Sequence, residues 1–207
     1  MAITISGSGI TSANIADGTI VNADINSSAA IDGSKVSGSF GKVLQVANKV
    51  IDEETSTTTT SYVACGGTHI EFTSLASSAS KVLIRFNLQL TSSTGANAGV
   101  RLYRSINGGA FSEVSGATST RGTGGAYNNF LTNGYNPLDT HEQLDIPMVT
   151  GEYLDSPNTT SSVAYKIYIR SRQTTVTAYI NRPDSYPQND NMSPRGISSA
   201  TLMEIGA

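Results

Sequence analysis

Alternation of apolar and polar side chains constrains this chain more than any other feature. From Lys81 to Leu90, Val82, Ile84, Phe86, Leu88 and Leu90 share one phase. Lys81, Arg85, Asn87 and Gln89 share the other, and only Leu83 is out of step. A period of two lines one face of a strand, so this segment predicts a half-buried antiparallel strand. Val163 to Arg170 repeats the pattern, with Val163, Tyr165, Ile167 and Ile169 inward and Lys166 and Arg170 outward. Val176, Ala178 and Ile180 read as its short partner strand. Val100 to Ile106 runs into Asn107-Gly108-Gly109 and then Ala110 to Val114, a strong hairpin signal because Asn and Gly accept the positive φ of tight turns. Val43 to Ile51, Ser61 to Ala64, Thr68 to Thr73 and Ser198 to Ile205 are further strand candidates. No segment carries a capped helical stripe. The expected fold is all-β, an antiparallel sandwich of jelly-roll-like build over residues 41–207.

Composition points the same way. Only 14 % of the 207 residues are charged, and the surface polarity comes from Ser and Thr, with 20 Gly for turns. The net charge of −3 and a pI of about 5.3 argue against a general nucleic-acid binder, which needs a basic stripe. Cys65 is the single cysteine, so no disulfide framework and no paired-cysteine zinc site can form. No apolar run is long enough to span a membrane. Met1 to Ser8 lacks the basic and apolar regions of a secretory signal, so the chain is expected to be made in a cytoplasm and to leave it within a larger assembly or by lysis. There is no Trp, and there are two histidines, thin material for an enzyme.

A five-residue period opens the chain. Ile5, Ile10, Ile15, Ile20 and Ile25 fall at every fifth position; Ala30 takes the next slot, and a one-residue slip restarts the series at Ile31 and Val36. Five matches neither 3.6 nor 2, so neither an amphipathic helix nor a simple strand accounts for it. A coil turning one corner per repeat would bury every fifth side chain. So short a coil has too little apolar area to stand alone. It needs neighbours, either copies of itself about a symmetry axis or a docking surface on another protein. The alternative is a disordered low-complexity arm. The boundary with the β-rich part falls near Ser37-Gly38-Ser39-Phe40-Gly41, giving an arm over 1–40 and a head over 41–207.

Several stretches resemble bacteriophage tail fibres and related virion appendages, especially those of marine and cyanobacterial phages. Ile10-Thr-Ser-Ala-Asn-Ile-Ala-Asp-Gly-Thr-Ile20, Val21 to Ile25 and Ala30 to Val36 are similar to the repeat of those proteins. Gly41-Lys-Val-Leu-Gln-Val46 resembles the opening of their C-terminal domain, and Ser77-Ser-Ala-Ser-Lys-Val-Leu-Ile84 one of its strands. Tyr153 to Pro157 followed by Val163 to Ile167 resembles its later hairpin, and Thr201-Leu-Met-Glu-Ile205 its ending. The resemblance implies a homotrimeric virion protein with a β-sandwich head and no catalytic motif. The chain is short for a fibre, which leaves room for a stub rather than a long shaft. A closed trimer also suits the repeat and hides sheet edges.

The chemistry is sparse. Asp139-Thr140-His141-Glu142 puts a histidine among acids, but it lacks a second His or Cys at ligand spacing and reads as a solvated loop. His69 alternates outward from Ile70 and Phe72, and Cys65 reads as a buried or half-buried thiol. There is no Gly-x-Ser-x-Gly, no phosphate loop and no carboxylate pair assignable to glycoside hydrolysis. No enzyme, cofactor or metal is expected. Two long loops, 121–137 and 181–196, break the strand series. The first holds Tyr127, Asn128, Asn129 and Tyr135, flat apolar rings beside amide donors, a mixture suited to a host-surface glycan or an envelope protein. Phe130 and Leu131 are expected to pack inward and pin the loop, or to sit in the trimer interface. The isoleucines of the arm, with Ile31 and Val36, are expected to form the trimer axis or dock on other virion proteins. The expected role is a tail fibre for host attachment. The alternatives are a capsid decoration or head-fibre protein and a tail or baseplate adaptor. Neither nucleic-acid binding nor membrane insertion is expected.

Overall fold

The structure, a computed structural model, describes residues 42–93, 98–118, 131–132, 148–183 and 196–206. All of them belong to the unit Phe40–Ala207. They form eleven strands: β1 (Val43–Ile51), β2 (Thr55–Thr57), β3 (Val63–Phe72), β4 (Lys81–Ser92), β5 (Ala98–Ile106), β6 (Ser112–Glu113), β7 (Leu131–Thr132), β8 (Met148–Asp155), β9 (Val163–Ser171), β10 (Ala178–Ile180) and β11 (Ser198–Ile205). A 3-10 turn at Ser115–Ala117 follows β6. Two antiparallel sheets result, one with the order β1-β11-β4-β10-β2 and β8 added on β4, the other β3-β9-β5-β6 with β7 added on β5.

Both sheets are simpler than their strand counts. β11 pairs with Lys81–Asn87 of β4, and β10 pairs with Leu90–Ser92 of the same strand. β10 and β11 are therefore one line of strand, separated in sequence by residues 181–197. β1 and β2 form the next line, interrupted only at 52–54. With β8 on the other side of β4, the sheet is four ribbons wide. In the second sheet β6 and β7 lie end to end along β5, so that sheet is also four ribbons wide.

The core follows the alternation. Val82, Ile84, Phe86, Leu88 and Leu90 of β4 are fully buried, as are Val163, Tyr165, Ile167 and Ile169 of β9 and Val100 and Leu102 of β5. They join one apolar cluster fed by both sheets. Each large side chain so buried contributes on the order of 2 kcal/mol. Leu83, out of phase in the sequence, does face outward. The predicted hairpin forms: Asn107 (φ 52°) and Gly108 (φ 69°) take the left-handed conformation, Gly109 N–H donates to Ile106 O at 3.0 Å, and Tyr103 and Arg104 pair with Glu113 and Ser112.

Three pairings differ from the sequence reading. Ser61 to Ala64 and Thr68 to Thr73 belong to one strand, β3, whose register slips between Ala64 and His69, so Cys65-Gly66-Gly67 is an irregularity rather than a break. β10 is not a partner of β9; it pairs with β4 and β2 in the other sheet. The chain changes sheets at the corner after Ser171, a fully buried residue whose Oγ lies 2.7 Å from Val176 O. Tyr153 to Ile167 is likewise no hairpin, because β8 and β9 lie in different sheets. Alternation fixes which face of a strand is buried, but backbone hydrogen bonds look alike in every strand and do not reveal the neighbour.

One buried residue holds the interrupted ribbons together. Asn181 is 1 % exposed and sits at φ 63°, a conformation Asn tolerates better than most residues. Its Nδ2 donates to Ile51 O (2.7 Å) and Glu53 O (3.0 Å), across the break between β1 and β2. Its Oδ1 accepts from Ser198 Oγ at 2.6 Å, across the break between β10 and β11. Ser198 Oγ in turn accepts from Gln89 N–H of β4 at 2.9 Å. Three ribbons thus meet on one amide just after β10 ends.

Candidate functional site

The residues singled out from the sequence as site candidates lie outside the described residues. This holds for Ile5, Ile10, Ile15, Ile20, Ile25, Ile31 and Val36 of the repeat, and for Tyr127, Asn128, Asn129 and Tyr135 of the aromatic loop. It also holds for Phe130 and for Asp139 to Glu142. Leu131 and Thr132, inside the 121–137 stretch read as a loop, instead pair with Val100 and Gly99 as the short strand β7.

A different set of residues gathers on the outer face of the five-stranded sheet. Along β9, Lys166, Tyr168 and Arg170 share the outward phase, although Arg170, expected to face out, is only 7 % exposed beneath its neighbours; along β5, Arg101 and Tyr103 do. The register sets Arg101 opposite Tyr168 and Tyr103 opposite Lys166. Tyr103 and Tyr168 are thus diagonal neighbours, within reach of each other on a sheet face. Their rings stack with centroids 3.8 Å apart and planes 22° from parallel. At one end of this stack Tyr62 lies beneath two guanidinium groups, Arg101 Cζ 4.3 Å and Arg170 Cζ 5.6 Å from its ring centre. At the other end Phe111 has Lys166 Nζ 6.0 Å from its centre and the His69 ring at 6.3 Å. His69 is exposed on β3, as its alternation predicts.

Electrostatics and burial fix this surface. Arg101 NH1 donates to Glu113 Oε2 at 2.7 Å, which aims the guanidinium over Tyr62. Burial raises the Tyr62 phenol above its ordinary pKa even though Arg101 and Arg170 pull it down. Burial, then the Glu113 charge, raises Tyr103 as well. Both phenols are therefore neutral donors at physiological pH. Such a platform offers ring faces to apolar surfaces and the Lys166 ammonium to acidic groups, while Arg101 is paired with Glu113 and Arg170 is buried. The signal was present in the sequence as Arg101-x-Tyr103 and Lys166-x-Tyr168-x-Arg170. The alternation marks those positions as outward, but only the register joins them.

A second polar group lies between the sheets. Asp155 Oδ2 of β8 accepts from Arg104 NH1 (2.6 Å) and from the Tyr165 hydroxyl (2.7 Å), both on the other sheet. Burial, then the adjacent Asp155 charge, raises the Tyr165 pKa, so its phenol is a permanent donor. A cleft of about 290 Å³ opens beside this group, lined by Arg104, Glu113, Tyr153 and Asp155 among others. A Cβ at Gly116 would collide there with the Tyr153 hydroxyl. The group ties β8 to β5 and β9. Cys65 is fully buried, and burial pushes its thiol up to about 12, which leaves it protonated and unreactive.

Among the described residues, no three His, Cys, Asp or Glu side chains are grouped to hold a metal ion, and no helix is long and apolar enough to cross a membrane. No protein-family profile matches the chain, and no curated protein sequence matches it significantly.

Proposed function

We propose that the chain is a bacteriophage virion protein: a homotrimeric tail fibre whose residues 1–40 dock on other virion proteins and whose jelly-roll-like head attaches to the host surface. The observation that carries the attachment role is the platform on the five-stranded sheet, where cations flank the stacked Tyr103 and Tyr168. An acidic host glycan matches it chemically. Sugar rings present flat C–H faces to aromatic rings, and their carboxylates or sulfates pair with Lys and Arg. The platform sits on paired strands rather than a loop, so little entropy is lost on binding. The five-residue repeat and its likeness to virion appendages support the trimer and the docking role.

Labelled full-length protein is incubated with host cells, with and without an acidic polysaccharide as competitor. Tyr168→Ala and Lys166→Glu are each expected to weaken cell binding at least about tenfold, equivalent to about 1.4 kcal/mol, and the polysaccharide to compete. Binding unchanged in both variants overturns the assignment of this face; binding lost on protease treatment of the cells makes the receptor a protein. Antibody labelling of intact particles tests the location. Label across the head would make the chain a capsid decoration or head-fibre protein. Label at the baseplate without host binding would make it an adaptor.

A further inference from the structure

The opposite sheet carries a surface of another kind. Every large apolar side chain that is exposed among the described residues lies on β1, on β8 or at the approach to β11, and none on the five-stranded sheet. Exposed apolar residues scattered singly carry no message. Two of these, Val46 and Leu154, are joined by register. Val46 stands opposite Met203, Met203 opposite Leu83, and Leu83 opposite Leu154, so one apolar row crosses all four ribbons. Val46 is 58 % and Leu154 46 % exposed. Successive ribbons lie about 4.8 Å apart, which makes the row about 15 Å long. The next row is Asn48, Thr201, Arg85 and Glu152, and its two charges neutralise each other in an ion pair of 2.5 Å. β1 shows the same preference from the other side. Its outward positions are Leu44, Val46, Asn48 and Val50, three of the four apolar, while the inward ones, Gln45, Ala47, Lys49 and Ile51, include two polar residues. An outer face that meets only water would be mostly polar.

We infer that this face packs against copies of the same chain. The inference rests on the oligomeric part of the reading above. Three observations select a copy over other occupants. First, the 42 residues that precede Val43 join the sheet at the end of β1 nearest the apolar row, and they carry a five-residue repeat too short to stand alone, for which copies of itself are one of the two partners the sequence allows. Copies gathered by their arms would meet at this end. Second, the face is nearly neutral, so it does not repel itself; its rows lack the clustered cations and aromatic rings with which a surface grips anionic lipid. Third, a face four ribbons wide and about eight residues tall has a footprint of about 500 Å². Once corrugated by side chains, it approaches the roughly 800 Å² per partner of a stable interface. The arrangement also leaves the aromatic and cationic platform on the opposite face free for a ligand.

The test uses the full-length chain and its mass by light scattering at micromolar concentration. Wild type is expected to be a trimer. Val46→Glu combined with Leu154→Glu is expected to give a monomer, at least a hundredfold weaker in association, with its circular dichroism unchanged because both positions lie on the surface. Tyr168→Ala, on the opposite face, is expected to leave the mass unchanged. Should the charged variant misfold, single Val46→Cys and Leu154→Cys variants decide the matter. Both are expected to cross-link between chains with a short bismaleimide, while the buried Cys65 is not. A wild-type trimer that survives the double substitution, or that gives no cross-link, overturns this interface and leaves the trimeric reading standing. A monomeric wild type overturns both. Another oligomer that the double substitution dissociates supports the interface and corrects only the number of copies.

Discussion

Replacing Asn181 tests how the interrupted sheet is held. In wild type its amide serves two backbone carbonyls, Ile51 O and Glu53 O, and the Ser198 hydroxyl. Alanine removes all three contacts from a residue that is 1 % exposed. A buried polar group left without its partner costs about 1–3 kcal/mol, and water can reach part of this site through the 52–54 break, so the polar loss is about 2–4 kcal/mol. Alanine must also hold φ near 63°, which adds about 1 kcal/mol. The expected total is about 3–5 kcal/mol, a large share of a typical domain's stability. Asn181→Gly removes the side chain but accepts the backbone, so it should lie about 1 kcal/mol above Asn181→Ala. Asn181→Asp keeps an acceptor for Ser198 but sets a carboxylate oxygen against two carbonyls, and should be at least as damaging as alanine. Equilibrium urea unfolding of the full-length chain, followed by tyrosine fluorescence because there is no Trp, reads these differences. With a slope of about 2 kcal/mol per molar urea, the alanine midpoint should fall by about 1.5–2.5 M. Alanine and glycine variants both within about 0.5 kcal/mol of wild type would refute the reasoning. An alanine variant more stable than glycine would refute the backbone part alone.

Further expectations concern the buried polar groups. Asp155→Ala should cost about 2–4 kcal/mol in the same assay, because it strands Arg104 and the Tyr165 hydroxyl. Asp155→Asn, which keeps an acceptor for Tyr165, should cost roughly half as much. The Cys65 thiol should resist maleimide in the native protein and react once urea unfolds it. Its folded pKa of about 12 lies above the ordinary value of 9.0, so between those pH values the unfolded chain loses a proton that the folded one keeps. Stability should then be intact below pH 9 and fall above it, by about 1.4 kcal/mol per pH unit for this group. Tyr62, Tyr103 and Tyr165 are raised in the same direction and steepen the loss at higher pH. Unfolding midpoints of wild type and Cys65→Ala should converge as pH rises from 9; a constant gap would show that the thiol titrates normally in the fold.

Much of the fold is legible residue by residue. The inward side chains of β4 and β9 are the apolar phase of their alternation, and the Asn107-Gly108 turn sits where those residues occur. The outward His69 and the buried Cys65 also follow from their neighbours. β8 was harder to read, because its inward positions are Val149, Gly151, Tyr153 and Asp155, too mixed to announce a buried face. Asn181 was invisible as a hub. An Asn before Arg-Pro reads as a loop residue, and nothing local places Ile51 and Ser198 beside it. The aromatic platform was half visible, as two outward phases on strands far apart in the chain.

The sequence by itself determined which side of the cleanly alternating strands, β4 and β9 above all, turns to the core. That choice depends on side-chain hydrophobicity and a fixed period of two, both local properties. Only the tertiary structure decided which strands adjoin and in what register, because backbone hydrogen bonding is common to all strands and the choice is made by the packing of both sheets together. Register is what turns Tyr103 and Tyr168 into a stack. It is also what turns Val46, Met203, Leu83 and Leu154, drawn from four strands, into one row.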